Sequence, residues 1–401
     1  MNSLFWPGDH RAGDVMSDAA FLRALALTED RWLLVLAEHG VAPRYVPIGD
    51  LVGESDLPHL TTDAESGGNP VIPAVALLRE RLRATGNPDA AEWLHRGLTS
   101  QDVVDTALML CARDAVGRVR GELTTQIRLL TDLADAHRAT PMAARTLTQP
   151  AVPTTFGAKV ATWLHGLLDA DDALIARIYP VQLGGAAGTL SGLVELAGPS
   201  AAHSCRTAFP AALGLAAAVP WHTHRATITA LGDAAVRAND SWGRIANDVL
   251  TLTRPEIGEL AQADPGGSST MPHKANPTLP ILIRRAALAA PALGATLHIA
   301  AGEQVDERAD GAWHLEWGTL AILLRRTVVA AAQTSVLLTG LRVNTTRMAR
   351  RVAEIETDLH AEQRGMAALA GHPPHPTYQG LADDLVQEAV DRARTHLQEN
   401  A

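Results

Sequence analysis

Apolar residues recur along this chain at intervals of three and four, the period of helices that bury one face, and not at the intervals of two that mark strands. The longest such run is Val104, Leu108, Cys111, Ala115, Val119, Leu123, Ile127, Leu130 and Leu133. It begins at a capping-box pattern, Thr99 followed three residues on by Asp102, and is broken only before Pro141. At 1.5 Å per residue that helix spans on the order of 50 Å, more than the width of a small domain, and so belongs to an extended bundle. A second helix is predicted through Phe156, Val160, Trp163, Leu167, Leu174 and Ile178, ended by Tyr179-Pro180. A third runs from Ala226 through Leu231, Ala235, Trp242 and Val249 to Leu252, stopped by Pro255. Residues 281–300 and 313–338 add two more, with a kink expected at Pro291.

Shorter elements flank these five. Asp18 is placed to cap a helix through Leu22, Leu25, Leu33 and Leu36, preceded by a polar arm at Trp6 to Arg11 and followed by loops at Pro43, Pro47, Gly67, Gly68 and Pro70. From Asn344 the pattern is short and charged, and the prolines around His372 and His375 make that stretch a loop rather than a metal site. The expectation is an all-α protein of three domains: a helical domain over 1–95, a central long-helix bundle over 96–342 and a small helical domain over 343–401.

Composition narrows the function. The 401 residues are 47% hydrophobic and only 4% aromatic, which suits close-packed helices rich in Ala and Leu. A net charge of −10, from 34 basic and 44 acidic residues, argues against a general nucleic-acid or anionic-membrane binder, so an anionic substrate needs a locally basic pocket. Cys111 and Cys205 both sit in apolar, helix-like contexts, which predicts buried thiols in a reducing cytoplasm rather than a disulfide. Asp9, His10 and Arg11 interrupt any early apolar segment, so no secretion signal is expected. The apolar tracts 286–302 and 327–341 are short and carry Pro291, His298 or Gln333, which argues against membrane spans.

One stretch suits neither helix nor buried strand: residues 265–277, P-G-G-S-S-T-M-P-H-K-A-N-P. Gly266 and Gly267 let main-chain N–H groups turn toward an anion, Ser268, Ser269 and Thr270 add hydroxyls, and Lys274 and Asn276 supply a cation and a neutral donor. Composition alone would also allow a plain polar surface loop. It is not a nucleotide-phosphate loop, since His273 and Ala275 flank Lys274 where that motif needs Gly before and Ser or Thr after.

This loop closely resembles the signature G-S-S-x-M-P-x-K-x-N of the fumarase/aspartase superfamily, whose members make or break a bond β to a carboxylate. The resemblance makes Ser268 the general base that takes the proton α to the carboxylate, with Lys274 and Asn276 at the carboxylate-binding and loop-anchoring positions. Ser269, Thr270 and Met271 fall in the same substrate-facing span. Residues 94–102, L-H-R-G-L-T-S-Q-D, are similar to the family's first substrate-binding region, which implies substrate contacts for Thr99 and Ser100 and places His95 within reach. Residues 144–157, A-R-T-L-T-Q-P-A-V-P-T-T-F-G, are similar to its second region, which in adenylosuccinate lyases reads G-R-T-H-G-x-H-A-E-P-T-T-F-G; Thr148 and Gln149 are candidates there. Gln182, within V-Q-L-G-G-A-A-G-T, is placed in the pocket by the same resemblance. Residues 307–317, E-R-A-D-G-A-W-H-L-E-W, resemble the corresponding stretch of 3-carboxy-cis,cis-muconate cycloisomerases, which offers Arg308 to a second carboxylate.

The departures carry chemistry. Leu147 and Pro150 stand where that family carries histidines, the second of them its general acid, and Ile281 stands where many members place the glutamate that orients it. Ala275 replaces an arginine common in the cycloisomerase loop. Expelling an amine or guanidine requires a proton donor, whereas a carboxylate, with a pKa of about 4, leaves unaided as a stable anion. The resemblance therefore implies a cytoplasmic homotetramer, with each active site shared between subunits, acting on a small polycarboxylate without metal or organic cofactor. Its first reading is a 3-carboxy-cis,cis-muconate cycloisomerase forming 4-carboxymuconolactone. The alternatives are a lyase releasing another stable anion, such as nitrite from nitrosuccinate, a C–N lyase of the adenylosuccinate or argininosuccinate type, and a catalytically silent helical scaffold.

Overall fold

The computed structural model describes residues 3–400; residues 1, 2 and 401, at the ends of the expected first and last domains, lie outside the described set. About 67% of the chain is helical. In chain order the helices are α1 (Asp18–Glu38), α2 (Leu57–Gly67), α3 (Val71–Ala84), α4 (Pro88–Trp93), α5 (Ser100–Ala136), α6 (Phe156–Ile175), α7 (Ser191–Leu213), α8 (Ala226–Leu252), α9 (Thr278–Gly302), α10 (Gly311–Thr339), α11 (Thr345–Glu354), α12 (Glu356–Leu359), α13 (Ala361–Ala370) and α14 (Ala382–Glu399). Two short antiparallel pairs interrupt them: β1 (Pro141–Thr146) with β2 (Gln149–Thr155), and β3 (Leu260–Gln262) with β4 (Leu341–Val343).

The five long helices expected from periodicity are α5, α6, α8, α9 and α10, and α5 is the longest at 37 residues. Its predicted apolar face is buried from Val104 to Leu130, each fully buried Leu or Ile being worth roughly 1.5–3 kcal/mol over leaving it in water. Some details differ from the sequence expectation. Ser17, not Asp18, caps α1 by accepting from the Ala20 N–H at 3.1 Å. Helix α6 ends at Ile175 rather than Ile178, and α9 runs through Pro291. Helix α7 was not expected, because Gly198 and Pro199 punctuate its sequence; Gly198 is indeed non-helical, with φ 73. At 25 and 29 residues, α9 and α10 exceed the apolar tracts read from the sequence and are long and apolar enough to cross a bilayer by length and composition. The apolar window of α10 is 61% buried inside the protein, as for a core helix, whereas that of α9 is only 28% buried and leaves Ile281, Leu288 and Ile299 exposed.

The chain divides into two compact units, each described by itself: unit 1 is 1–118, 176–235 and 291–328, and unit 2 is 119–175, 236–290 and 329–401. In unit 1 the ring of Trp32 on α1 meets Phe209 on α7 edge to face at 5.0 Å. In unit 2 the Trp242 indole N–H donates to Gln126 Oε1 at 2.8 Å, and the Gln126 amide donates to the Ala331 carbonyl at 2.9 Å, which satisfies polar groups buried between α5, α8 and α10. Both cysteines are free and buried, and burial pushes the Cys111 thiol up to about 12, so it is inert at neutral pH.

Candidate active site

Sequence-predicted site residues fall in both units. In unit 1, His95, Thr99, Ser100, Gln182 and Arg308 are set around the first turns of α5. Asp102 reaches back to accept from the Thr99 N–H at 3.0 Å, which is half of the expected capping box. The other half is redirected: the Thr99 hydroxyl accepts from Arg308 Nη1 at 2.7 Å. Two residues separated by 209 positions, both expected to bind carboxylate, thus meet. Ser100 opens α5 beside them, at the positive end of the helix dipole.

Asp102 is the hub of this region. Its Oδ1 accepts from Gly184 N at 2.8 Å and His222 Nε2 at 2.9 Å, and its Oδ2 accepts from Gly185 N at 2.9 Å besides Thr99 N. The glycine-rich turn therefore cradles an internal carboxylate rather than a substrate. Gly184 is needed because a Cβ there would lie 2.6 Å from His222 Cε1, and Gly185 because its φ is +67. Gln182 is fully buried, its amide donating to Asp105 at 3.1 Å and accepting from Trp221 N at 2.8 Å, so it supports the region from below.

Beneath lies a charge cluster that reading the sequence missed. Arg225 lies between Asp105 and Glu316, with all three side chains at 0% exposure. Its Nη1 and Nη2 donate to Asp105 at 2.8 and 3.0 Å, and its Nε and Nη2 donate to Glu316 at 3.0 and 2.6 Å. The Trp313 indole N–H adds a third donor to Asp105 at 3.0 Å. Burial disfavours the Arg225 charge but the two carboxylates outweigh it, whereas burial pushes the Glu316 carboxyl up despite Arg225. The sequence shows Gln101, Asp102, Asp105 and Thr106 only as four polar residues in two turns; that all are at 0–1% exposure emerges from the fold alone.

His95 stands in a left-handed conformation, φ 64, with Nδ1 2.6 Å from Glu29 Oε1. Its segment is pinned on both sides, by the Trp32 indole to the Arg96 carbonyl and by Arg79 to the Leu94 carbonyl, each at 2.7 Å. A cavity of about 330 Å³ in the same unit is lined mainly by apolar groups such as Phe21, Leu60, Leu108 and Trp317, with Asp18 as the charged wall residue, and does not suit a polyanion.

In unit 2, the 265–277 loop is tied at its base and open at its tip. Gly266 and Asn276 exchange backbone hydrogen bonds at 2.8 and 2.7 Å, and the Asn276 amide donates to the Gly267 carbonyl at 3.0 Å. A Cβ on Gly266 would sit 2.3 Å from Thr278 Cγ2, so glycine is required there. Gln262 clamps the stems, donating to the Asp264 carbonyl and accepting from Leu279 N at 3.2 Å. Ser268 is half-buried, its hydroxyl accepting from Met271 N at 3.2 Å, while Ser269, Thr270, Met271 and Lys274 are exposed.

The stretch carrying Thr148 and Gln149, for which the sequence predicts no element, is the β1–β2 hairpin leading into α6. Its two-residue turn, Leu147-Thr148, has φ 48 and 72 and is flanked by the Thr146–Gln149 pair. Such turns favour Asn-Gly, so a leucine 96% exposed and a β-branched threonine are strained here. Pro150 pairs with Arg145 across the hairpin, and Arg145 in turn is bound to the fully buried Glu259 at 2.9 Å.

With this geometry in hand, comparisons with known proteins agree on one group. A family model described as lyase matches residues 62–291. The chain is 40% identical to a nitrosuccinate lyase of Streptomyces davaonensis, over 95% of this chain and 85% of that protein. It is 37% identical to a 3-carboxy-cis,cis-muconate cycloisomerase of Pseudomonas aeruginosa, over 82% of this chain and 72% of the other. Among solved structures, the 3-carboxy-cis,cis-muconate lactonizing enzyme of Pseudomonas putida matches with a TM-score of 0.84 at 27% identity, covering 98% of this chain and 100% of that one.

Proposed function

Because the chain belongs to the fumarase/aspartase superfamily of lyases, we propose that it breaks a bond β to a carboxylate and releases a stable anion, with nitrosuccinate as the leading substrate. The observation that carries this reading is the pairing of an intact Ser268, Lys274 and Asn276 loop with Pro150 and Ile281, neither of which holds a proton to donate. Ser268 takes the C3 proton, the electrons form the C2–C3 double bond, and the C2–N bond breaks with its pair leaving on nitrite. The products are fumarate and nitrite, and the serine returns its proton to solvent.

Thr99 and Arg308 bind one carboxylate: the Thr99 hydroxyl accepts from Arg308 and so has its own proton to give the substrate. Lys274, Asn276 and the loop N–H groups stabilise the charge that develops on the other carboxylate when the C3 proton leaves. The chemistry as written needs no metal or organic cofactor. We further propose a homotetramer whose sites are shared between subunits, supported by the exposed Ile281, Leu288 and Ile299 along α9.

The 307–317 stretch and the likeness to the lactonizing enzyme favour a second reading, reversible lactone formation from 3-carboxy-cis,cis-muconate, in which the leaving anion is a carboxylate. Nitrosuccinate stands first because the relative with that activity aligns over 95% of the chain. The test is a substrate panel read by ultraviolet absorbance and nitrite release: nitrosuccinate, carboxymuconate, adenylosuccinate and argininosuccinate. Turnover of nitrosuccinate is expected; turnover of adenylosuccinate or argininosuccinate without the first two would overturn the stable-anion reading.

A further inference from the structure

We propose that Glu29 is a positioning residue that holds His95 as a fixed cation in the carboxylate-receiving half of the site, so that His95 binds substrate by charge. The identity of the anion rests on the function proposed above; the Glu29–His95 pair itself does not. Nδ1 of His95 lies 2.6 Å from Glu29 Oε1, and the Glu29 carboxylate is 2% exposed. Its second oxygen, Oε2, has no hydrogen-bond partner among the described residues, so His95 is the group hydrogen-bonded to this carboxylate while Arg79 acts on it only through its charge. The His95 side chain keeps 20% exposure, enough for its other edge to face a ligand.

The backbone supports the same purpose. A left-handed histidine costs energy and persists only when its surroundings impose it, which is common at functional positions. Here the Trp32, Arg79 and Asp102 hydrogen bonds fix the chain on either side of the turn between His95 and Thr99. The charged groups facing the ring are Glu29 on α1, Arg79 on α3 and Asp102 on α5. Burial works against the imidazolium and so does Arg79, but the Glu29 carboxylate and its hydrogen bond, with help from Asp102, outweigh both and raise its pKa. The cation therefore persists to higher pH than in a free imidazole and is lost as pH rises through the raised value.

Two measurements test this. In protein with 13C-labelled histidine, with the His95 signal assigned from its absence in His95→Gln, His95 is expected to titrate above about 6.5 in the wild type and at least one unit lower in Glu29→Gln. Calorimetric titration with fumarate, and in parallel with tricarballylate as a tricarboxylate probe, is expected to show affinity falling as pH rises through the His95 midpoint. At pH 7, Glu29→Gln should bind severalfold more weakly, and at most about 10-fold for each unit by which the midpoint falls. If Glu29→Gln does not fold, His95→Gln should flatten the pH dependence instead. Binding without a step at the His95 midpoint would overturn the role of the pair alone, whereas a wild type that binds neither probe would overturn the reading of the site.

Discussion

The candidate residues of unit 1 and those of unit 2 are held in opposite ways. Around Asp102 and Arg225 in unit 1, polar groups are buried, linked by many hydrogen bonds and drawn from helix starts and turns far apart in sequence. The serine loop of unit 2 is exposed along its tip and held only at its base, by the Gly266–Asn276 bridge and the Gln262 clamp. On the function proposed above, a rigid, preorganised set of donors suits binding, and a loop free at its tip suits the chemical step. The difference predicts that damage to unit 1 appears first as lost stability and weakened binding, and damage to the loop as lost turnover.

The sharpest break in that contrast is Arg225→Leu. Removing the guanidinium strands Asp105 and Glu316 beside one another in a dry environment, which should cost about 3–5 kcal/mol by chemical denaturation, the range for breaking a buried pair by deleting one partner. Unchanged stability would show the cluster to be dispensable. Next in size, Ser268→Ala should lower kcat by at least about 100-fold, as for loss of a general base, with fumarate affinity and Tm nearly unchanged. Near-normal turnover would remove Ser268 from the mechanism.

These two variants also mark what was legible in the sequence. The long helices and the serine loop could be read locally, because a period of three and four or a run of Gly, Ser and Lys needs no knowledge of distant partners. The Arg225 cluster could not: Asp105 lies 120 residues from Arg225 and 208 from Trp313, and a polar residue on a helix reads as solvent-facing until its partners are placed. No element is read from the sequence over residues 141–155, and Pro150 and Pro153 argue against a strand, yet both sit in a two-stranded ribbon, where every strand is an edge. The resemblance places Gln182 in the pocket, whereas its amide is engaged with Asp105 and Trp221 within the core.

A smaller effect tests how finely unit 1 is set. In Asp102→Asn the volume is kept, yet one carboxylate oxygen becomes an NH2 facing two N–H donors that already point at it. About 1–3 kcal/mol of stability should go, the cost of leaving a buried donor unsatisfied, and KM should rise more than kcat falls because Thr99 is no longer held. A drop in kcat alone, at constant KM, would place Asp102 in the chemistry rather than beneath it.

The smallest effect lies in unit 2, at the hairpin turn, and it runs the other way. Thr148 occupies a left-handed conformation at φ 72, which costs a non-glycine residue roughly 1–2 kcal/mol. Glycine would relieve that strain but add about 0.4–1 kcal/mol of unfolded-state entropy, and the weak bond from the Gln149 amide to the Thr148 hydroxyl, 3.3 Å and exposed, would be lost. Thr148→Gly should therefore raise stability by a few tenths to about 1 kcal/mol, read as a small increase in Tm. If the strained turn presents the Thr148 hydroxyl to substrate, KM should rise severalfold in the same variant, the trade of stability against function expected where strain is retained at a working site. A lower Tm would mean that the threonine is held by contacts stronger than its strain, and a higher Tm with unchanged KM would leave Thr148 outside the binding surface.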